Sequence, residues 1–560
     1  MKIFLAQQNY HIGNFESNSQ QIIEAIKEAK KQAGDIIVFS ELSVCGYPPR
    51  DFLEFDDFIN KCNAAIDEIK KYADGIAVIV GAPDKNLLWQ GKDLFNAAYF
   101  LADKSIKSIA HKTCLPTYDV FDEYRYFEPA YEWNVIDYKG KKIALTICED
   151  IWNLGDNPLY RICPMDKLME QDPDLMINIS ASPFDYTHDE DRKAIIKANV
   201  LKYKLPMFYC NAVGSQTEIV FDGASLVFDK QANLCGQLPT FQSALQSFVL
   251  NDDGTIAAAV IEPFDNVPNG EMNPITLQEN LNIAQVHDAI VMSIKDYFTK
   301  MGFSKAIIGS SGGIDSAVTI ALACAALGAE NVRAVLMPSQ YSSDHSIADA
   351  EQLSKNLNNP YDIIPIKNIY ETFLQELQPI FKDLPFSVAE ENIQSRSRGN
   401  LLMAIANKFG YILLNTSNKS ELATGYGTLY GDMAGGIGVL GDCYKLQVYA
   451  LAKYINRNFE IIPENIIAKP PSAELRPGQK DSDSLPDYEI LDKILYQYIE
   501  LRQGPNEIKA QGFDTALVDR VLKMVNLNEY KRNQFCPIIR ISPKAFGVGR
   551  RVPIVGKYLS

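Results

Sequence analysis

Three side chains, far apart in the chain, are of the types an acyl-transfer site needs. Glu41 closes DIIVFSE (35–41), Lys112 lies in AHKTCLP (110–116) and Cys148 sits near the end of KKIALTICE (141–149). A thiol reacts as its thiolate, so Cys148 needs a base for its proton and a cation to favour the anion. Glu41 can take that proton and later activate water, while Lys112 can favour the thiolate and stabilise a developing oxyanion. The stretch TICEDIW (146–152) places Glu149 and Asp150 directly after the thiol, where their charge opposes ionisation, and it assigns them no role. A lone cysteine is ordinarily core packing, so reactivity of Cys148 is argued from Glu41 and Lys112. Cys114, two residues past Lys112, is the nearest rival thiol and reads as packing. With five histidines in the chain, a cysteine–histidine pair would have to use His11, His111 or His188.

A second chemistry is written in GSSGGIDSA (309–317), where a strand ends and a helix begins. Gly312 and Gly313 let backbone N–H groups approach an anion, and Ser311 and Ser316 add hydroxyl donors at the positive end of a helix dipole. The stretch from Gly309 through Ser310, Ser311, Gly312, Gly313 and Ile314 to Asp315 and Ser316 therefore predicts a phosphate site, with Asp315 as a magnesium ligand beside it. A plain glycine turn would share the two glycines. The GK[ST] ending of γ-phosphoryl-transferring loops is missing.

These residues have to be positioned by two α/β halves. In residues 1–250, apolar β-branched runs such as KIFLAQQ (2–8), IAVIVGAP (76–83), NAAYFLAD (96–103), LMINISASP (175–183) and PMFYCNAVG (206–214) suit strands buried on both faces. ASLVFD and QSFVLN add meander-like strands, which predicts a pair of sheets. Between strands, Ile22, Ile23, Ile26, Ala29 and Ala33 recur at helical spacing behind the capping candidates Asn14 and Ser17. Residues 251–273 carry prolines, glycines and acids and read as a surface connection, placing a boundary near 265 and domains at 1–265 and 266–560. A helix over 274–301 and strand–helix alternation through YDIIPI then predict a parallel, doubly wound sheet.

Composition narrows the class. The 560 residues, 47% hydrophobic and 22% charged with a formal net charge of −16, read as a soluble enzyme and argue against a general nucleic-acid or anionic-membrane binder. The ten cysteines form no CxxC pair, which predicts a reducing, cytoplasmic setting, and MKIFLAQQNY is too polar for a signal-peptide core.

Longer words carry family resemblances. SGGIDS resembles the PP-loop signature of ATP pyrophosphatases, which cleave ATP to AMP and pyrophosphate while adenylating a carboxyl or carbonyl oxygen; the motif leaves the substrate open. ENIQSRSRGNLL (391–402), NTSNKSELATGYGTLYGDMAGG (415–436) and KPPSAELRPGQKDSDSLPDYEILD (469–492) are similar to NAD synthetases, which amidate deamido-NAD. That resemblance implies that Thr416 contacts ATP, that Glu421 lies at the metal and the dinucleotide, and that Asn392 and Lys531 serve deamido-NAD, with Asp432 a weaker candidate. It also implies ATP as co-substrate, Mg2+ and a homo-oligomer. The loop 470–488 could close over an adenylate and exclude water.

In the first half, SELSVCGYPPRD, HKTCLPTYDVFDEYRYF and LTICEDIW resemble the nitrilase-like carbon–nitrogen hydrolases, in the form found in glutaminase domains of glutamine-dependent NAD synthetases. The implied fold is a nitrilase-like α-β-β-α sandwich followed by a doubly wound parallel α/β PP-loop domain. The implied catalytic set is Glu41, Lys112 and Cys148, with Tyr118, Ser182 and His188 around the glutamine, although His188 could simply cap a helix from 189. Ammonia made in one half would be consumed in the other, through a tunnel whose path the sequence does not give.

Overall fold

The structure, a computed structural model, describes residues 1–88, 90–154, 158–257, 282–479 and 481–559. The chain forms two compact units, Met1–Asp265 and Asn266–Ser560. The expected boundary near 265, most of the connecting stretch and the first turns of the 274–301 helix lie outside the described residues.

The first unit holds two six-stranded sheets. One runs in the order Ala244–Val249, Lys2–Gln7, Ile36–Val38, Ala77–Lys85, Leu94–Ala102, Ser105–His111, and the other Leu234–Gln237, Leu226–Phe228, Met207–Asn211, Leu175–Ser180, Lys141–Ile147, Ile136–Tyr138. Strand periodicity assigns their faces. Ile3 and Leu5 point into a core shared with Ile143, Leu145, Ile177 and Ile179 of the second sheet. Phe4 and Ala6 point the other way, against Ile22, Ile26 and Ile66 of the helices Phe15–Lys31 and Asp56–Ile69. On the far side, Ile196 and Val200 of helix His188–Tyr203 cover Met176, Met207 and Tyr209. The layers are helix, sheet, sheet, helix, as the resemblance implied. The inner strands are apolar on both faces because each sheet is covered on both.

One glycine makes room for the segment that carries Glu41. A Cβ on Gly81 would lie 2.3 Å from the Leu42 nitrogen and 2.8 Å from the Ser40 oxygen, so the segment carrying Glu41 crosses this strand at backbone contact.

In the second unit the five strands run Tyr361–Ile363, Val332–Leu336, Ala306–Gly309, Ile412–Asn415, Ile437–Gly438, and every pairing is parallel. The first strand in sequence is therefore central, and the order reverses beside it. That reversal opens a crevice at the carboxyl ends of Ala306–Gly309 and Ile412–Asn415. Helix Val388–Phe409 covers one face, where Ile307, Val335, Leu402, Ala406 and Leu413 pack together. A helical cluster built on Tyr488–Ile499 and Thr515–Leu527 completes the unit. Among the described residues no helix is long and apolar enough to cross a membrane.

Gly81→Ala should lower stability by about 1–3 kcal/mol through overpacking against the Glu41 segment. A shift in the denaturant midpoint checks this, and an unchanged midpoint would show that the close approach is not required.

Candidate active sites

In the first unit the three expected catalytic side chains meet, although two leave their strands earlier than their sequences imply. Strand Ile36–Val38 stops three residues before Glu41, whose N–H instead reaches 3.4 Å across to the Ser180 oxygen of the other sheet. Strand Lys141–Ile147 stops before Cys148, which opens a tight 3-10 turn with φ 44°. A left-handed backbone at a non-glycine residue costs on the order of 1 kcal/mol and breaks the ladder, lifting the thiol off the sheet. Lys112 directly follows strand Ser105–His111.

All three are buried, at 1% (Glu41), 0% (Lys112) and 5% (Cys148) exposure. Lys112 Nζ donates to Glu41 Oε1 at 2.7 Å and to Glu123 Oε1 at 2.8 Å. Burial opposes the Lys112 charge, but Glu123 and Glu41 outweigh it and hold the ammonium well above its ordinary range. Burial, then Glu41, push the Cys148 thiol up while Lys112 draws it down, so the resting thiol keeps its proton beside a base.

Glu123 was not singled out from the sequence. Burial lifts its carboxyl to about 7 against the pull of Lys112, and Tyr47 OH donates to its Oε1 at 2.7 Å. Asn96 was also missed, and its Nδ2 donates to Glu41 Oε1 at 2.7 Å.

The two acids after the thiol now have distinct places. Asp150 Oδ1 accepts from the Thr113 and Cys114 amides, both at 2.9 Å, and its Oδ2 accepts from the Ile147 amide at 3.0 Å. It therefore ties the backbone behind Lys112 to the backbone before Cys148. Glu149 accepts from Tyr118 OH at 2.9 Å and Tyr160 OH at 3.2 Å, and burial raises its carboxyl to about 7. Tyr118 is 46% exposed, with its hydroxyl held by Glu149 and its ring edge-on to Phe121 at 5.4 Å. Ser182 Oγ lies 2.9 Å from His188 Nε2, and the His188 ring stacks on Trp152 at 5.0 Å. His188 is the first residue of its helix, with Thr187 at the cap position. Its ring is thus occupied with Ser182 and Trp152.

The second site is a cavity of ≈310 Å³ at the sheet's reversal point, and it includes Gly309, Ser310, Ser311, Gly313, Ile314, Asp315, Ser316, Thr416 and Glu421 in its walls. Gly312 stands just behind: its φ is +75°, and a Cβ there would sit 2.2 Å from the Ser346 oxygen. The loop is braced internally, with Ser316 Oγ donating to the Gly313 oxygen at 2.9 Å and the Gly313 amide donating to Ser311 Oγ at 3.1 Å. No side chain among the described residues caps helix Ile314–Leu327, which leaves its N-terminal dipole directed at the cavity.

Asp315 and Glu421 face each other around a lysine that sequence reasoning missed. Lys445 Nζ lies 2.5 Å from Asp315 Oδ2 and 3.7 Å from Glu421 Oε1. Burial, then Asp315, raise the Glu421 carboxyl well above the carboxylate range, and Lys445 opposes them. Glu421 also completes a reciprocal cap with Asn418, whose Nδ2 donates to Asp315 Oδ1 at 2.9 Å. Glu421 therefore both caps a helix and lines the cavity. Thr416 follows strand Ile412–Asn415 and lines the cavity. Asn392 and Lys531 stand outside its wall. Asn392 Oδ1 accepts from Thr428 Oγ1 at 2.7 Å, Lys531 Nζ donates to the Gly425 and Gly427 oxygens at 2.7 and 2.9 Å, and the Thr428 amide donates to the cavity residue Asp432 at 2.6 Å. Residues 469–475 line the cavity, where Glu474 accepts from Ser343 Oγ and Ser346 Oγ at 2.8 Å, and Asp481 joins the wall.

The family model for carbon-nitrogen hydrolases matches residues 2–258 and that for NAD synthase matches 286–535. A glutamine-dependent NAD(+) synthetase of Synechocystis sp. is 43% identical over 99% of this chain and 98% of its own, and one of Thermotoga maritima is 39% identical over 100% and 99%. The solved structure of a glutamine-dependent NAD+ synthetase from Acinetobacter baumannii in complex with ADP has a TM-score of 0.77 at 37% identity, covering 100% of this chain and 99% of that one. With the likeness running end to end through both halves, the chain belongs to the glutamine-dependent NAD(+) synthetases, a family of carbon–nitrogen ligases.

Proposed function

We propose that this chain amidates deamido-NAD to NAD, cleaving ATP to AMP and pyrophosphate and drawing its ammonia from glutamine at Cys148. The observation that carries the reading is the buried Glu41–Lys112–Cys148 constellation in one unit of a chain whose other unit holds a phosphate loop faced by paired acids.

In the first reaction Glu41 takes the thiol proton as Cys148 Sγ attacks the glutamine carboxamide carbon. Lys112 stabilises the oxyanion, the proton passes to the leaving nitrogen and ammonia departs. Water, deprotonated by Glu41, then hydrolyses the thioester and releases glutamate. Tyr118, anchored on Glu149, together with Ser182 and His188, would orient the amino-acid end of the substrate.

In the second reaction the deamido-NAD carboxylate attacks the α-phosphate of ATP, and ammonia displaces AMP from the acyl-adenylate. The loop 309–316 and Thr416 would hold ATP; Glu421, Asn392 and Lys531 would serve the dinucleotide. Asp315 and Glu421 offer hard carboxylate oxygens that repel each other and face the phosphate loop, a donor set suited to Mg2+, and they would hold it there. Bound there, the ion would neutralise charge on the phosphate oxygens. Lys445 keeps the two acids together and adds a fixed positive charge. A cytoplasmic setting is consistent with ten free cysteines. Self-association of a second copy finds support in the apolar Ile380, Leu384 and Val388, exposed by 72%, 74% and 66%.

Cys148→Ala should abolish glutamine-driven synthesis and leave ammonia-driven synthesis within about twofold, because nucleophilic catalysis is confined to one unit. Asp315→Ala should remove both by at least about a hundredfold. Loss of the ammonia-driven reaction in folded Cys148→Ala would break this division of labour. For the substrate, ATP consumption with glutamine should require deamido-NAD, and equal turnover with xanthosine monophosphate or aspartate would overturn the assignment.

A further inference from the structure

Asn96 lies within strand Leu94–Ala102, a run buried along its whole length, and is itself 0% exposed. Its Nδ2 donates to Glu41 Oε1 at 2.7 Å and to Glu123 Oε2 at 3.4 Å, and its backbone oxygen accepts from the Lys112 amide at 2.8 Å. Its Oδ1 has no partner among the described residues. A buried amide oxygen without a donor is a cost that a core does not carry for packing alone. Turning the amide over would relieve nothing, because it would set that oxygen against two carboxylates. The side chain is held for what its nitrogen grips.

The consequence is an asymmetry in the base. Glu41 Oε1 takes two donors, Lys112 Nζ and Asn96 Nδ2, both at 2.7 Å, whereas Oε2 takes one, the Ala181 amide at 3.0 Å. With two lone pairs on each oxygen, Oε1 is filled and Oε2 keeps one open. Lys112 spends two of its three N–H bonds on Glu41 and Glu123, the same two acids that Asn96 bridges from the other side.

We propose that Asn96 is a positioning residue of the glutaminase step: it closes Oε1 of Glu41, leaves Oε2 as the oxygen that receives the Cys148 proton, and shares the grip on both acids so that Lys112 keeps one N–H for the thiolate and the oxyanion. The inference rests on the glutaminase reading above. In the step concerned, the S–H proton moves to Oε2 as the sulfur–carbon bond forms and the carbonyl π pair moves onto oxygen; the same proton later leaves with ammonia. The charged and titratable groups facing Glu41 are Lys112, Glu123, Cys148 and Tyr47. Replacing Asn96 leaves these groups in place but strips a donor from each of the two acids, so that both carboxylates are less firmly fixed.

The test measures ammonia release from glutamine by wild type, Cys148→Ala and Asn96→Leu. Leucine keeps the volume and removes the orphaned oxygen. Asn96→Leu should lower kcat about 10–100-fold and leave KM for glutamine within about threefold, as expected when the base is misplaced while the substrate pocket is intact. If wild type releases ammonia through Cys148 but Asn96→Leu keeps kcat within threefold, or loses kcat only together with a more than tenfold rise in KM, this role falls while the glutaminase reading stands. If wild type releases no ammonia from glutamine, both fall. Should Asn96→Leu not accumulate as folded protein, Asn96→Ser carries the same expectations, because its short hydroxyl cannot span the two acids.

Discussion

A lysine ammonium held at 0% exposure governs the first unit. Taking such a charge out of water costs several kcal/mol, recovered only with close counter-charges and satisfied hydrogen bonds. Glu41 at 2.7 Å and Glu123 at 2.8 Å supply the counter-charge, but two acids against one base leave an excess of negative charge beside a thiol. Neutral donors absorb that excess: Asn96, Tyr47 and the Ala181 amide all point at the acids. The thiol stays protonated at rest, and in the proposed reaction its activation is coupled to the arrival of an electrophile that can accept the electron pair. Both sheets, the crossing at Gly81 and the turn at Cys148 are needed to bring these groups together.

The second unit meets the opposite imbalance with the same means. The loop at 309–313 and the uncapped helix after it set a positive pole at the cavity, and Asp315, held by Lys445, sets a negative one beside it. Lys445, 2% exposed, links the acids, and Ser420 steadies it by accepting from its amide at 3.0 Å and donating to Asp492. On the function proposed above, the charges of this site are arranged before phosphate and cation arrive.

Much of this was legible in the sequence, for identifiable reasons. Strands covered on both faces write themselves as continuous β-branched runs, and a phosphate loop needs its glycines in a fixed order. Strands Ser105–His111 and Ile136–Tyr138 were not legible: each is a sheet edge, and SIKSIAH and IDY are mixed in polarity because they are only partly covered. Glu123 sits among other acids in YDVFDEYRYF, and nothing local marks it as the one that turns inward. Asn96 looked like a polar interruption of a core strand, and Lys445 like the ordinary start of helix Lys445–Ile455. Each owes its place to partners 11 to 130 residues away, a relation that no local pattern encodes.

Asp150 shows what such relations imply for the chain's history. One carboxylate caps the amides of Thr113 and Cys114 and that of Ile147, so the words HKTC and TICED meet through a single side chain. A backbone shift in either word moves the carboxylate and, with it, the other word. The two stretches are therefore not free to drift separately: substitutions that reshape one are tolerated only alongside compensating changes in the other, and their energetic effects will not add. Two segments more than thirty residues apart behave, for selection, as one.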